Sequence, residues 1–216
     1  MPPKPNLRPR TKPPAQRRDE LMNAAERLFL EKGFERVSIE EITQGADVAK
    51  GTFYLQFSSK VEVLEALRTR FAQRLLDGVA AAVAKQRAED WSGRLEAWAR
   101  ACAIGYLDAA RLHDLVFIDT PPASRKGLAS NVLVDHLTKL LADGARRNAW
   151  SIDDPNFTAV FLFNALHGVV NQGADRRTAS DRAKLLRAIE HHFLRSVGAA
   201  RKRGIAAGSA RVPMNP

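Results

Sequence analysis

The side chains best suited to hydrogen-bonding chemistry in this 216-residue chain lie between positions 50 and 60. Phe53 and Phe57 are one helical turn apart and therefore share a face. The residues that point away from this apolar face, here called the seam, are Gly51, Thr52, Tyr54 and Leu55, with Lys50 and Gln56 at the two ends and Lys60 beyond them. Ammonium, hydroxyl and amide groups on one exposed face suit phosphates and base edges. Such an outward set is what a recognition helix needs.

Two short helices are needed to position these side chains. Upstream, apolar residues recur at helical spacing at Ile39, Ile42 and Ala46. Ser38, with Glu41 three residues later, has the pattern of a capping box that starts a helix. Asp47 follows in the turn, where a left-handed conformation is needed that Asp tolerates better than most residues. The pattern indicates a helix-turn-helix, although two packed helices of an ordinary bundle are the alternative.

Residues 18–67 resemble the DNA-binding part of the TetR family of bacterial transcriptional regulators. The resemblance rests on a first helix carrying Leu21, Ala25, Leu28 and Phe29, a stop at Lys32-Gly33-Phe34, the helix-turn-helix, and the closing run Phe57-Ser58-Ser59-Lys60. Two positions differ from the family pattern. Ala49 replaces a capping residue, which costs about 1 kcal/mol of helix stability. Gln56 replaces a His or Tyr, so the contact made there is expected to differ.

The resemblance and the helix geometry together imply a set of DNA-binding residues. The set comprises Ser38, Lys50, Gly51, Thr52, Tyr54, Leu55, Gln56 and Lys60. Thr52 and Tyr54 are expected to contact phosphates, and so are Ser38 and Lys60 at the starts of their helices.

Three members of this set are expected to meet the bases. Lys50 suits guanine O6 and N7, and Gln56 can pair with adenine N6 and N7. Leu55, which faces outward, is expected to press on a thymine methyl group.

The sequence contains no group of residues at the spacing of a known catalytic site. The histidines are His113, His136, His167, His191 and His192, and no metal-ligand or nucleophile spacing surrounds them. The chain has no Gly-rich phosphate loop, and its single cysteine, Cys102, lacks a matched base. We therefore expect no enzymatic activity, no metal site and no cofactor.

Composition and charge suggest a cytoplasmic DNA-binding protein. Apolar residues make up 45% of the chain, and no run is long enough to predict a membrane span or a secretory signal. The net charge is +10, with six basic and no acidic residues in 1–18, and four basic and no acidic residues in 199–216. Both ends are predicted to be disordered. The first is expected to be an arm along the DNA, or alternatively a solubilising leader; the second is expected to be a solvated tail.

The rest of the chain predicts an all-α fold. Helices are expected at 59–85, 91–112, 128–148, 155–172 and 178–198, with a break at Pro121-Pro122. Ser59 and Glu62 are predicted to form a second capping box. We expect a helix-turn-helix domain over 19–64, followed by a helical ligand-binding and dimerisation domain over 65–198.

The last two helices are the predicted homodimer surface. Their apolar faces contain Phe157, Val160, Phe161, Asn164 and His167-Gly168 in one, and Leu185, Ile189, His192 and Phe193 in the other. Pairing in a four-helix bundle would set two recognition helices about 34–36 Å apart, one turn of DNA. The alternative is that these faces are buried within their own chain.

The family resemblance also implies a pocket for a small-molecule effector. Candidate lining residues are Phe71, Leu75, Trp98, Tyr106, His113, Phe117, Phe161, Asn164 and His167. Core packing explains most of them equally well. Phe71 and Leu75 lie on the helix that follows the DNA-binding part. A ligand that binds against this helix is expected to move the DNA-binding part, which would couple the ligand site to the DNA site.

The complete prediction is a cytoplasmic, dimeric, ligand-responsive transcriptional regulator. Repression is favoured, because a protein that occupies an operator blocks polymerase without further machinery. The alternative is an architectural or nucleoid-associated DNA-binding protein without small-molecule control.

Overall fold

The computed structural model describes residues 13–118, 132–173 and 178–198. These residues form helices and contain no strand, so the all-α prediction is confirmed. The helices are α1 (Pro14–Lys32), α2 (Ile39–Gly45), α3 (Lys50–Tyr54), α4 (Lys60–Ala84), α5 (Trp91–Asp108), α6 (Ala110–His113), α7 (Val132–Arg146), α8 (Pro155–Gly173) and α9 (Ala179–Ser196). Residues 1–12, the predicted break at Pro121-Pro122 and the tail 199–216 lie outside the described residues.

Helices α1–α3 and the start of α4 enclose the first hydrophobic core, here called the head. Its fully buried side chains include Leu21, Phe29, Ile42, Phe53, Phe57 and Leu64. Helix α1 begins at Pro14, because proline is compatible with the first turn of a helix. Residues 14–18 of the predicted arm are therefore helical. Helix α1 ends before Gly33, whose φ of +84° is readily adopted by glycine.

The caps and the turn of the head largely follow the sequence pattern. Ser38 and Glu41 form the predicted capping box at the start of α2, and Asp47 has the expected left-handed φ of +53°. Ala49 precedes α3 at the N-cap position and provides no side-chain cap. The second capping box is only half right: the Ser59 hydroxyl accepts from the Glu62 amide. The Glu62 carboxylate reaches Ser58 instead, because Ser58 offers it both an amide and a hydroxyl.

Helix α4 joins the head to a second core, here called the body. Its first turns contribute Val63, Leu64 and Leu67 to the head, and the later turns contribute apolar residues from Phe71 to Val83 to the body. The change of core lies between Leu67 and Phe71, a few residues after the predicted domain boundary. Helix α5 packs closely on α4, since a Cβ added to Gly105 would collide with Leu75 Cδ1.

Helices α5, α7, α8 and α9 complete the body. Trp98 of α5 is fully buried, stacks on Phe193 of α9 and donates from Nε1 to His136 Nδ1 at 3.1 Å. Asp154 caps α8, and its Oδ1 accepts from the amides of Asn156 and Phe157, both at 2.9 Å. These contacts fix the two helices that were predicted to form the dimer surface.

A short segment after α5 connects the body back to the head. The predicted helix 91–112 is interrupted at Ala109, and α6 continues into a π-helical turn over Asp114–Ile118. Leu115 and Val116 of this turn are buried in the head core. The buried Arg68 of α4 donates from Nε to the carbonyl oxygen of Val116. Leu115 and Val116 are thus part of the head core although they follow the body helix α5 in the chain.

Candidate nucleic-acid interface

Helix α3 has a buried side and an exposed side. Phe53 and Phe57 are 0% and 1% exposed, as the predicted seam requires. On the other side Lys50, Gly51, Tyr54 and Leu55 are exposed, and Thr52 and Gln56 are partly exposed. Tyr54 is 54% exposed and Leu55 is 78% exposed. Core packing therefore does not account for these two large side chains on the solvent-exposed side of α3.

Arg18 holds the end of this surface against α1. Its guanidinium donates to the backbone carbonyl of Gln56 at 2.7 Å and lies 4.1 Å above the Phe57 ring. Sequence reasoning counted Arg18 only as a charge of the N-terminal arm. Spacing alone could not pair this side chain with the Gln56 carbonyl, because the contact spans 38 residues.

Lys60 has a different set of partners from the one predicted. Its ammonium group donates to three backbone carbonyls, of Phe34 at 2.7 Å, Glu35 at 3.1 Å and Val37 at 2.8 Å. It also lies 4.5 Å from the centre of the Phe34 ring. An ammonium group has three hydrogens to donate, so these carbonyls use its full capacity. In this geometry Lys60 fastens the α1–α2 turn to α4, and its contact with DNA stays a prediction.

Ser38 is also engaged within the protein. Its hydroxyl accepts from the Glu41 amide at 3.2 Å and donates to the Glu41 carboxylate at 3.0 Å. The pKa of Glu41 is lowered to about 2, first by the hydrogen bond from Lys32 and then by those from Ser38. A phosphate contact by the Ser38 hydroxyl would therefore compete with the capping box.

Glu40, an acidic residue beside the predicted DNA surface, forms an ion pair with Lys50. The Lys50 ammonium donates to the Glu40 carboxylate across the turn between α2 and α3. This hydrogen bond lowers the pKa of Glu40 and raises that of Lys50. Sequence reasoning missed the pair, because the partners lie ten residues apart in different helices.

Five of the predicted pocket residues form one aromatic cluster between α4, α5, the α6 segment and α8. The members are Phe71, Tyr106, His113, Phe117 and His167, and Phe163 joins them. Ring centres in contact are 4.7 to 6.4 Å apart. Leu75 packs beside the cluster against Gly105. The rings fill the space between one another, so the cluster is a packed core in this state.

Two histidines in this cluster share a hydrogen bond. The Nε2 atoms of His113 and His167 are 2.7 Å apart, and His113 Nδ1 is 3.1 Å from the Asp114 carboxylate. One imidazole must donate to the other, since a neutral ring offers one N–H and one lone pair. Burial and the neighbouring His113 lower the pKa of His167. The chain Asp114–His113–His167 thus links α8 to the π-helical turn.

Three other predicted pocket residues do not reach this cluster. Trp98 is packed between Phe193 and His136. Phe161 is 61% exposed on the outer side of α8. Asn164 is exposed as well, and its amide donates to the Val160 carbonyl at 2.8 Å. Helical spacing alone could not separate these residues from the inner face.

The two predicted dimer helices differ in what they expose. Helix α8 presents Phe157, Val160, Phe161 and Val169, which are 67%, 41%, 61% and 43% exposed. In α9 the predicted interface residues Leu185, Ile189 and Phe193 are buried in the body of their own chain, and only His192 is exposed. These three side chains pack within their own chain, where α9 lies against α5, and a dimer contact through the rest of α9 stays a prediction.

An open cleft of about 600 Å³ lies outside the aromatic cluster, between the α1–α2 turn and the α6 segment. Its lining includes Lys32, Arg36 and Arg111.

Within the described ranges, no helix has both the length and the apolar character needed to cross a bilayer.

Comparison with known proteins supports the assignment of the head. Residues 21–67 match the family described as bacterial regulatory proteins, tetR family. FasR of Mycolicibacterium smegmatis, an HTH-type transcriptional activator, is 35% identical over 74 residues, or 34% of each chain. KstR2 of the same organism, an HTH-type transcriptional repressor, is 29% identical over 150 residues, covering 65% of this chain and 72% of KstR2. The chain covers only 23–34% of the lengths of FasR and two further curated relatives.

The whole fold is similar to solved structures. The structure of RolR in complex with resorcinol aligns with a TM-score of 0.64 and 25% identity, over 93% of this chain and 97% of RolR. The family match thus covers the head, whereas the sequence match to KstR2 and the structural match to RolR extend into the body.

Proposed function

We propose that this chain, whose residues 21–67 match the tetR family and whose fold is similar to that of RolR, is a ligand-responsive transcriptional regulator that binds a palindromic operator as a homodimer in the cytoplasm. The observation that carries this proposal is the exposed surface of α3. A rigid seam at Phe53 and Phe57 holds polar and aromatic side chains outward, where packing does not need them. A short helix of this kind, held by a second helix and a turn, suits the major groove.

Within that surface, Thr52 and Tyr54 are proposed to hold phosphates, with Gly51 permitting close approach of the backbone. Lys50, Gln56 and Leu55 are proposed to meet base edges. Lys60 is proposed to be a positioning residue, since its ammonium group already binds three carbonyls of the α1–α2 turn.

The outer face of α8 is the proposed dimer contact. Three large apolar side chains at Phe157, Val160 and Phe161 lie within two turns of one helix and are more than 40% exposed. A contiguous apolar patch on a helix marks an interaction site. A two-fold axis through this face would place two copies of α3 symmetrically, as a palindromic operator requires.

The aromatic cluster is the proposed effector site. RolR was solved with resorcinol, a small aromatic diol, which supports a small planar effector here. Such a molecule would enter between the rings and take the hydrogen bond that joins His113 and His167. Because Leu115 and Val116 of the π-helical turn are buried in the head, a shift of this turn would reach α4 through Arg68. Effector binding and DNA affinity would then be linked.

Repression remains the proposed direction of control. The relatives include one protein called an activator and one called a repressor, so the comparisons support both. Occupying an operator is sufficient to block polymerase, whereas activation needs a further contact.

Selection from a randomised DNA pool tests the proposal. The full-length protein should enrich a palindromic site with half-sites about one helical turn apart, and Tyr54→Ala should lose it. Lys85→Met, at an exposed position at the end of α4, should retain it. If no sequence is enriched and all three proteins bind DNA alike, the architectural alternative replaces the regulator.

A further inference from the structure

The Glu40–Lys50 ion pair lies on the proposed DNA surface and has no packing role. Glu40 is in the first turn of α2, Lys50 is the first residue of α3, and Tyr54 follows Lys50 by one turn. The Glu40 and Lys50 side chains are 61% and 56% exposed. Exposed ion pairs of this kind contribute little to folding stability. The pair is therefore better explained by what binds to it than by the fold.

Electrostatics alone argue against an unpaired acidic group at this place. A carboxylate that faces DNA repels phosphates, whereas a carboxylate held by an ammonium group leaves the local charge near zero. The pair then adds little to sequence-independent attraction. What it offers DNA is a hydrogen-bond donor, Lys50, next to an acceptor, Glu40.

This donor and acceptor match one base pair best. In the major groove guanine presents two acceptors, O6 and N7, and its partner cytosine presents the N4 amino donor. Lysine suits the guanine edge, and glutamate accepts from cytosine N4. Reversing the base pair would place donor against donor and acceptor against acceptor. A T opposite Glu40 would bring O4, another acceptor, against the carboxylate. An A there would offer its N6 amino donor to Glu40 but also the acceptor N7 beside it, and Lys50 would then face only the single acceptor O4 of thymine instead of the two acceptors of guanine.

We infer that Glu40 and Lys50 together read one G·C base pair in each half-site, with Lys50 on the guanine and Glu40 on the cytosine. This makes Glu40 a specificity-determining residue outside the recognition helix. The inference rests on the proposed function, because it needs α3 in the major groove.

The test compares base preferences by position, using full-length proteins and the same randomised duplex pool. The variants are Glu40→Met, which removes the acceptor, Lys50→Ala and, as a matched control for the loss of one negative charge, Glu35→Met at an exposed position of the α1–α2 turn. The wild type should select G·C at one position of each half-site. Glu40→Met and Lys50→Ala should each relax that same position by about tenfold, while the other positions and the Glu35→Met profile stay unchanged.

Three results would overturn the inference. Glu40→Met with a wild-type profile would show that the carboxylate does not read a base. Tighter binding of Glu40→Met to all sequences alike would show that Glu40 only repels phosphate. Loss of preference at two different positions would show that the residues do not act as a pair. In each case the palindrome selected by the wild type leaves the proposed function standing, whereas failure of the wild type to select any site removes both.

Discussion

The head and the body of this protein are held together in different ways. In the head, side chains bind backbone groups: Lys60 holds three carbonyls, Arg18 holds the Gln56 carbonyl and Ser38 caps α2. In the body, large rings such as Trp98 and Phe193 stack between long helices. Directional bonds fix a short helix to one orientation, whereas apolar packing holds long helices but tolerates rearrangement among similar shapes. The first suits a surface that must match DNA, and the second suits a core that responds to a ligand.

The largest expected effect is in the body. Trp98→Ala removes a fully buried indole and should lower the free energy of unfolding by about 3–5 kcal/mol. Tyr54→Ala, on the exposed face of α3, should change it by less than about 0.5 kcal/mol. Urea denaturation measures both. A small loss for Trp98→Ala would mean that this side chain borders open space rather than packed core.

In the head, Lys60→Met should lower the free energy of unfolding by about 2 kcal/mol, because hydrogen bonds from a charged donor to three carbonyls are lost. Lys85→Met, which removes an exposed lysine after α4, is the control and should be near neutral. Thermal denaturation and DNA affinity are measured together. If stability is unchanged and only the salt dependence of DNA binding falls, Lys60 is a phosphate contact as first predicted.

On the outer face of the body, Phe161→Glu should weaken the homodimer roughly tenfold or more, since it places a charge in an apolar contact. Ala81→Glu, at an exposed position of α4, adds the same charge elsewhere and should leave the dimer intact. Analytical ultracentrifugation over a range of concentrations distinguishes them. Equal behaviour of the two variants would move the dimer contact away from this face of α8.

The smallest effects separate the two regions by pH. The pKa of His167 in the body is lowered by burial. As pH drops below about 6.5, His167 is therefore protonated in the unfolded chain before it is protonated in the folded protein, and the free energy of unfolding falls. The pKa of Glu41 in the head is lowered from 4.5 to about 2, so its contribution is present above 4.5 and is lost as pH falls toward 2. Stability curves of His167→Gln and Glu41→Gln should converge with the wild type in those separate windows. Convergence of both in one window would contradict this assignment.

The head was more predictable from sequence than the body. Ser38 with Glu41 and the left-handed Asp47 depend on chemistry within a few residues, and the structure confirms both. Arg18 and Lys60 depend on carbonyls 38 and at least 23 residues away, which no local pattern encodes. In the body, periodicity located the helices but not their partners.

The body also shows why helical spacing alone misplaces site residues. Phe161 and Phe163 are both aromatic and lie two positions apart in α8, yet Phe161 faces outward and Phe163 faces the aromatic cluster. Leu185 of α9 was equally compatible with a partner chain or its own chain. Which neighbour covers an apolar face is a property of the tertiary arrangement, and the amphipathic pattern is the same in both cases.

The exposed face of α3 is proposed to read DNA sequence, and a ratio of two affinities tests this directly. Dissociation constants are measured at physiological salt for the selected palindromic duplex and for a scrambled duplex of the same composition. The wild type should prefer the palindrome by about a thousandfold or more, and Tyr54→Ala should lose much of that preference while keeping its fold. A wild-type ratio near one would show that α3 does not read sequence, because the protein would then bind both duplexes equally well.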